Sequence, residues 1–294
     1  MDEPVLLRRA CVLLIAAIVT LTCSSPLKAE EQKGEEKKAE EKSEAPFQDK
    51  LQIRGGWAYV FGATANVAVG GPALGVGTNI DFTQTLGGDT STDAVRIDTL
   101  YHFNERHAIG FSWYRVGLSG NKNLTEQIQI NDNIVQAGAA TQTSLSFNTY
   151  RLLYNYSFYR TDKAELAFSP GLYMMKLNFN FAGQGTINNL PGDLLLVKQQ
   201  LTVPLPSVGL VANYNITPKF KFESRYDFFY LSLGSYSGAM FELYAGLEYR
   251  LFRHFALGGA YDRLQANLRG DGHQGFTANF SYNLLYLYGT IYLF

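Results

Sequence analysis

Lys221, Glu223, Arg225 and Asp227 occupy every second position of one short stretch, and Glu242, Glu248 and Arg250 fall in one phase of the next. Period-two spacing puts side chains on one face of an extended strand. The pattern therefore ladders cations and anions along a wall. Such a ladder can fill a narrow space with salt bridges, or line a charge-selective path for a small solute or ion. A different pairing is Asp271 with His273 in "DGH", an acid and an imidazole two residues apart in a polar turn.

Other sites are weaker. His102, His107 and His254 show no metal-ligand spacing, "NDN" at 131–133 is a lone acidic turn, and "VGGPALGVG" at 69–77 lacks the lysine and following helix of a phosphate loop. No serine hydrolase arrangement can be nominated. No metal and no other cofactor is expected. A net charge of −1 gives no electrostatic case for nucleic acid.

Strands must hold the charged residues. Ten runs of alternating character are expected at about 51–63, 93–103, 107–118, 143–158, 164–181, 199–214, 219–233, 239–251, 254–268 and 276–294. In the first, Leu51, Ile53, Trp57, Tyr59 and Phe61 oppose Gln52, Arg54, Gly56 and Ala58; in the eighth, Phe241, Leu243, Leu247 and Tyr249 oppose Glu242, Tyr244, Glu248 and Arg250. The third, fourth, fifth and ninth keep one apolar face only if the alternation slips once, as at a β-bulge. The third, for example, changes phase between Trp113 and Tyr114. Pro204 and Pro206 lack ladder donors and are expected near the outer end of the sixth.

Connectors alternate in length. "FNER", "YRTDK", "ITPK" and "FRH" are short, whereas about 64–92, 119–142 and 182–198 are long. This matches a barrel with short turns at one end and long loops at the other. The polar faces carry Arg54, Arg96, Asp98, Arg115, Arg151, Glu165, Lys176, Lys221, Glu223, Arg225, Asp227, Glu242, Glu248, Arg250 and Arg263. A soluble core could not bury so many charges, since each unpaired one costs several kcal/mol. The expected fold is accordingly all-β: a closed antiparallel transmembrane β-barrel of about ten strands, or eight or twelve if a segment is misread, with lipid on the apolar face and the charges in the lumen. Phe103, Phe158, Tyr214, Phe220, Tyr249 and Phe294 would form an aromatic girdle near the short turns.

Before the barrel, Arg8 and Arg9 precede an apolar run from Ala10 to Thr22 that is too short for a spanning helix. With the small-residue site at Leu27-Lys28-Ala29 it reads as a secretory signal peptide over 1–29. Cys11 and Cys23 both lie within it, so the mature chain would be cysteine-free; the alternative is lipidation at Cys23. Residues 30–48 are rich in Glu and Lys, too polar to fold alone, and read as a disordered periplasmic leader ahead of the barrel domain at 49–294.

The last residues, "YLYGTIYLF", carry the most specific family likeness. Over about 51–294 the chain resembles the bacterial outer-membrane β-barrel proteins. In that class a final strand ending in Phe, with aromatic or apolar residues at alternate preceding positions, is the signal read by the barrel-assembly machinery. Phe294, Tyr292, Tyr288 and Tyr286 match that signal and Thr290 is less apolar. The resemblance implies an outer-membrane location, contact with outer-membrane lipid and the assembly machinery as partner. Omptin proteases are also ten-stranded barrels of this class, and their chemistry needs a His–Asp pair and a facing pair of acids at the outer rim; the resemblance would give Asp271 and His273 the first role, and the facing acids would have to come from Asp89, Asp93 or Asp132, none of which forms a convincing close pair. The interleaved charges and small bore favour a largely occluded lumen with a structural or binding role over a narrow solute or ion channel.

Overall fold

The computed structural model describes residues 49–69, 79–130, 133–233, 236–270 and 276–293, all of them strand, turn or irregular. Thirteen strands follow in order: β1 (Leu51–Val69), β2 (Asn79–Asp81), β3 (Thr92–His102), β4 (His107–Asn123), β5 (Ile128–Ile130), β6 (Asn133–Val135), β7 (Ala140–Arg160), β8 (Ala164–Ile187), β9 (Leu190–Thr217), β10 (Phe220–Leu233), β11 (Tyr236–Phe252), β12 (Phe255–Gly270) and β13 (Phe276–Leu293). Ten of these form the wall. Each pairs antiparallel with the wall strands on either side of it in sequence, and β13 pairs with β1, which closes the ring. The three short strands belong to the connections at one end. Closure matters physically, because an edge facing hydrocarbon would leave backbone groups unpaired.

At the short-turn end the connections are made by local hydrogen bonds. Asn104 Oδ1 accepts from the backbone N–H of Arg106 and His107 at 2.9 and 3.1 Å, and Thr217 Oγ1 accepts from those of Lys219 and Phe220 at 3.3 and 3.0 Å. At the opposite end the connection expected over 182–198 is mostly strand. β8 and β9 run on to a two-residue turn at Asn188 and Asn189, whose φ values of 51° and 68° suit asparagine in a tight hairpin. The sequence had no Gly at the turn to mark it.

Strand length explains the rest of the architecture. A tilted membrane strand needs about 9–11 residues; β7, β8 and β9 have 21, 24 and 28. The surplus lies on the loop side and makes a second tier with the opposite polarity. Near the short turns the outward residues are apolar: Ile53, Trp57, Ile97, Phe111, Leu152, Leu257, Leu285 and Leu287 are all exposed. Further along the same strands the outward positions become Arg115, Ser119, Asn121, Gln142, Gln265 and Asn267, while the inward ones become Tyr114, Val116, Leu118, Leu145, Phe147, Leu264, Phe280 and Leu284. The outer tier thus has a dry apolar core, as a water-soluble barrel does. Ile80, Phe82 and Leu86 from one connection and Leu124, Ile128 and Ile130 from another are buried on that core and cap it.

This inversion corrects the expected mid-strand slips. Burial alternates without interruption through β4, from Ala108 to Gly120, and through β12 from Asp262 to Leu268. What changes at Trp113/Tyr114 is which face is apolar: the outward positions turn from apolar to polar and the inward ones from polar to apolar, while the backbone phase is kept. Register shifts do occur, at Phe61/Thr64, Ser157/Tyr159, Gly185/Ile187, Phe220/Lys221 and Arg250/Phe252. At the first of these Gly62 takes a φ of 58°, open to glycine without steric penalty.

Candidate functional site

Most of the charges read as luminal point inward in the lipid-level tier: Arg54, Arg96, Asp98, Arg151, Lys221, Glu223, Arg225, Asp227, Glu242, Glu248 and Arg250, with Glu165. Arg115 and Arg263 do not. Both stand on the outward, exposed face of the outer tier, and Lys176 shares that phase on β8. The reason is the polarity inversion: keeping one face apolar required a slip that the backbone does not make. In β12 the residue that does enter the lumen is Asp262, one position earlier and buried.

The inward charges from opposite sides of the ring meet at mid-lumen. Arg151 on β7 reaches across to Glu242 on β11, with Nη1 to Oε1 at 3.0 Å, and its Nη2 donates to Asp98 at 3.3 Å and to Ser112 at 2.7 Å. Arg225 bridges Asp227 at 2.9 Å and Glu242 at 3.4 Å. Arg96 on β3 holds Asp98 at 2.9 Å and reaches Asp262 on β12 at 2.5 Å. Arg54 on β1 binds Glu223 on β10 at 3.0 Å and Glu248 on β11 at 3.4 Å. These bridges span the bore. Arg96 and Arg151 are only 1% and 2% exposed, and Asp227 and Glu242 are fully buried.

Tyrosines complete the cluster. Tyr244 OH accepts from Arg54 at 2.9 Å, Tyr173 OH donates to Asp227 at 2.7 Å, and Tyr286 OH donates to the carbonyl of Arg96 at 3.1 Å. Arg54 lies over the ring of Tyr288 at 4.4 Å, Arg225 over Tyr244 at 4.9 Å, and Arg250 over Tyr292 at 4.1 Å. Tyr292 also hydrogen-bonds Glu248, which accepts from Thr290 at 2.6 Å. A guanidinium held between carboxylates and aromatic faces recovers much of the hydration it gives up.

This arrangement corrects the reading of the last strand. Placing the apolar face toward lipid puts its even positions outside, yet Ala278 to Tyr292 at alternate positions are buried inside, and Leu285, Leu287 and Ile291 are exposed on the outer side. Both faces of the lower half are apolar, so period two identified the strand but not its orientation. Tyr286, Tyr288 and Tyr292 are therefore lumen residues; Phe294 lies outside the described residues. Tyr288 sits in register between Gly56 on β1 and Gly258 on β12, and a Cβ built at Gly258 would come within 2.3 Å of its ring. Gly258 makes room for the ring on which Arg54 stacks, and Gly56 lets the backbone of β13 approach β1 closely.

Below the network, toward the short turns, lies a polar cavity of about 80 Å³ lined by Gln52, His102, Asn155, Glu165, Asn213 and Lys221 among others. At the short-turn end Arg250 pairs with Asp49 at 2.7 Å. Above the network the apolar core of the outer tier begins directly, with Tyr114 and Tyr282 joined through their hydroxyls at 3.1 Å.

The other candidates fare differently. Asp271, His273 and Asp132 lie outside the described residues. Asp89 and Asp93 are exposed, and Asp93 accepts a hydrogen bond from Trp57 Nε1 at 3.1 Å. No group of His, Cys, Asp and Glu that could hold a metal occurs among the described residues. His102 lines the polar cavity, while His107 contacts Tyr154 on the outer face. Of the girdle residues, Phe103, Phe158, Tyr214 and Tyr249 are exposed near the short turns and Phe220 is half-buried.

No family model matches the chain, and no curated protein matches it. The solved structures it resembles are bacterial outer-membrane β-barrels. The outer membrane protease OmpT from Escherichia coli is 9% identical, with a TM-score of 0.48 over 83% of this chain and 97% of that one. The toluene transporter TodX from Pseudomonas putida is 8% identical, with a TM-score of 0.37 over 85% and 92%. The attachment invasion locus protein Ail from Yersinia pestis is 10% identical, with a TM-score of 0.33 over 83% and 99%. A protease, a transporter and an attachment protein share no single role, and none passes to this chain through likeness of fold. The closed ring itself stands on the protein's own strand pairing.

Proposed function

We propose that this protein is an integral barrel of the bacterial outer membrane with a closed lumen, and that it serves a structural or binding role at the cell surface. Residues 1–29 would direct export and be removed, and the final strand would be read by the barrel-assembly machinery through its terminal aromatic residues. The observation that carries the closed lumen is the trans-lumen pairing of Arg151 with Glu242 and of Arg96 with Asp262, all buried, beneath a dry apolar tier. A hydrated ion would have to break several charge-assisted bonds and then cross the region of Val116, Phe147 and Phe280 without water, which is unfavourable by several kcal/mol for each charge moved. The apolar belt that ends in exposed aromatics near the short turns supports lipid contact.

Recording from purified protein in planar bilayers tests this. The expected result is no stable unitary conductance. A stable, ion-selective conductance that changes with Arg225→Ala or Glu242→Ala would favour the narrow-channel reading instead. Proteolysis is tested separately: cleavage of a basic peptide that disappears in His273→Ala would establish it.

A further inference from the structure

β9 is used on one side only over much of its length. It pairs with β8 from Leu190↔Ile187 to Tyr214↔Ala164. With β10 it pairs only from Thr217 to Val208, where the last partner is Phe228. Beyond Phe228, β10 continues to Leu233 beside β11 alone. Among the described residues no strand takes up the second edge of β9 from Leu190 to Ser207. The ladder stops where Pro204 and Pro206, just past Val208, offer no N–H to continue it. The wall therefore has a seam in its outer tier, above the apolar belt.

Natural edge strands are ordinarily short, covered or studded with charge. Among the described residues this edge is none of these. Between Leu194 and Val203 it carries a single charged side chain, Lys198, and no proline. Leu190, Leu194 and Leu196 are 61%, 57% and 65% exposed on its outer face. On its inner face Leu195, Leu201 and Val203 pack against the outer-tier core, which holds the strand extended without a second neighbour. A rigid extended backbone with free donors and acceptors is complementary to one kind of ligand, another extended backbone.

We infer that the edge of β9 from Leu194 to Val203 is a strand-addition site for an extended segment of a separate polypeptide. Two other occupants fit poorly. A second copy in the same membrane is related by an axis along the bilayer normal. Both β9 strands then run from the outer to the inner side, so their edges meet crossed and parallel rather than as an antiparallel ladder. The chain's own N-terminal segment joins the barrel at Asp49, at the short-turn end, on the far side of a filled lumen. The partner segment should alternate small or β-branched residues, with an acidic residue opposite Lys198 and apolar ones opposite Leu194 and Leu196. The site does not depend on whether the lumen conducts.

The test uses full-length wild-type protein in lipid nanodiscs and a fluorescein-labelled Thr–Val repeat peptide flanked by glutamates, alongside the same peptide N-methylated at every residue. Anisotropy reads binding, and amide hydrogen exchange reads the site. Backbone amides of 194–203 on the free edge should exchange fast in the protein alone and slow by roughly tenfold or more with the peptide, while the N-methylated peptide has no effect. Protection of that edge in the free protein, absence of binding, protection elsewhere only, or equal effects of the two peptides would each overturn the assignment. So would exchange protection that rises with the number of barrels per disc without any peptide.

Discussion

Arg151 and Glu242 stand 3.0 Å apart although they come from strands separated by three others in the wall, and neither is reached by solvent. The contact crosses the bore. With the hydrogen bond from Tyr173 on β8 to Asp227 on β10, it ties the β4–β8 side of the ring to the β10–β12 side through side chains, and Glu242 also accepts from Arg225 while Arg151 also holds Asp98.

Truncating one end of this pair should destabilise the barrel more than truncating both. Arg151→Ala leaves Glu242 with Arg225 alone, and Glu242→Ala leaves Arg151 short of its closest carboxylate. Removing one partner of a buried pair costs about 3–5 kcal/mol, whereas replacing both by apolar residues of similar size is near neutral. Arg151→Met combined with Glu242→Leu should therefore unfold in urea closer to wild type than either alanine variant. Heat-dependent mobility on gels, read across a urea series in detergent micelles, measures the order. If the single variants unfold at the wild-type midpoint, the cluster contributes nothing to holding the ring.

The two tiers predict opposite responses to the same substitution on the same strand. Leu257 and Gln265 both point outward from β12, and both are exposed. Leu257→Arg places a charge in hydrocarbon and should cost about 2–4 kcal/mol if it lies near the bilayer midplane. Gln265→Arg sits beside Arg263 and Asn267 in water and should stay within about 0.5 kcal/mol of wild type. Leu264, between them in the sequence but buried, should tolerate lysine least of the three. Folding into lipid vesicles under urea gives the comparison, and equal losses at Leu257 and Gln265 would put lipid around both tiers.

Gly258 should be far more sensitive than its neighbour Gly259. A Cβ at Gly258 meets the ring of Tyr288, and one at Gly259 meets nothing closer than 3.5 Å. Gly258→Val should push the ring off Arg54 and cost about 1–3 kcal/mol through overpacking. Gly259→Ala should be tolerated. The near-ultraviolet circular dichroism of the tyrosines reports the displacement directly, and an unchanged spectrum in Gly258→Val would mean that Tyr288 is not held as described.

The ten wall strands were legible in the sequence because alternation over eleven or more residues outweighs turn noise, and their positions agree with the structure to within a few residues at the short-turn ends. Orientation was legible only where one face carries charge, as on β10 and the lower half of β11. It was not legible in β13, where Tyr286, Tyr288 and Tyr292 face charges and Leu285, Leu287 and Ile291 face the belt. Nor was it legible where the surroundings change along a strand. A single rule of apolar outside assigns Tyr114, Val116 and Leu118 to lipid, and it then needs Arg115 and Arg263 inside. The signal that could have found the outer tier was strand length, since eighteen residues in β13 exceed what the bilayer requires. Asp262 was missed for the same reason that Arg263 was misplaced. The Tyr–Arg stacking pairs join strands distant in sequence, and no local pattern encodes them.

Water should enter the barrel from the short-turn end and stop at the charge cluster. The cavity beside Asn155 and Asn213 is polar and lies toward the short turns, whereas Leu118 and Leu264 lie in the apolar tier beyond Arg151 and Arg96. The barrel from residue 49 onward has no native cysteine, so single cysteines can be placed without background. A small cationic thiosulfonate should modify Asn155→Cys in folded protein within seconds to minutes and leave Leu118→Cys unmodified until urea unfolds it. Mass spectrometry of intact protein reads both. Adding Glu242→Ala to Leu118→Cys separates two ways of excluding water: if the cluster alone keeps the outer tier dry, the thiol becomes reactive, and if apolar packing is sufficient, it stays protected. Because Tyr114, Leu145 and Phe147 pack around Leu118 independently of Glu242, protection is the expected outcome. Rapid modification of Leu118→Cys in the otherwise unaltered barrel would show an open bore and end the closed-lumen reading.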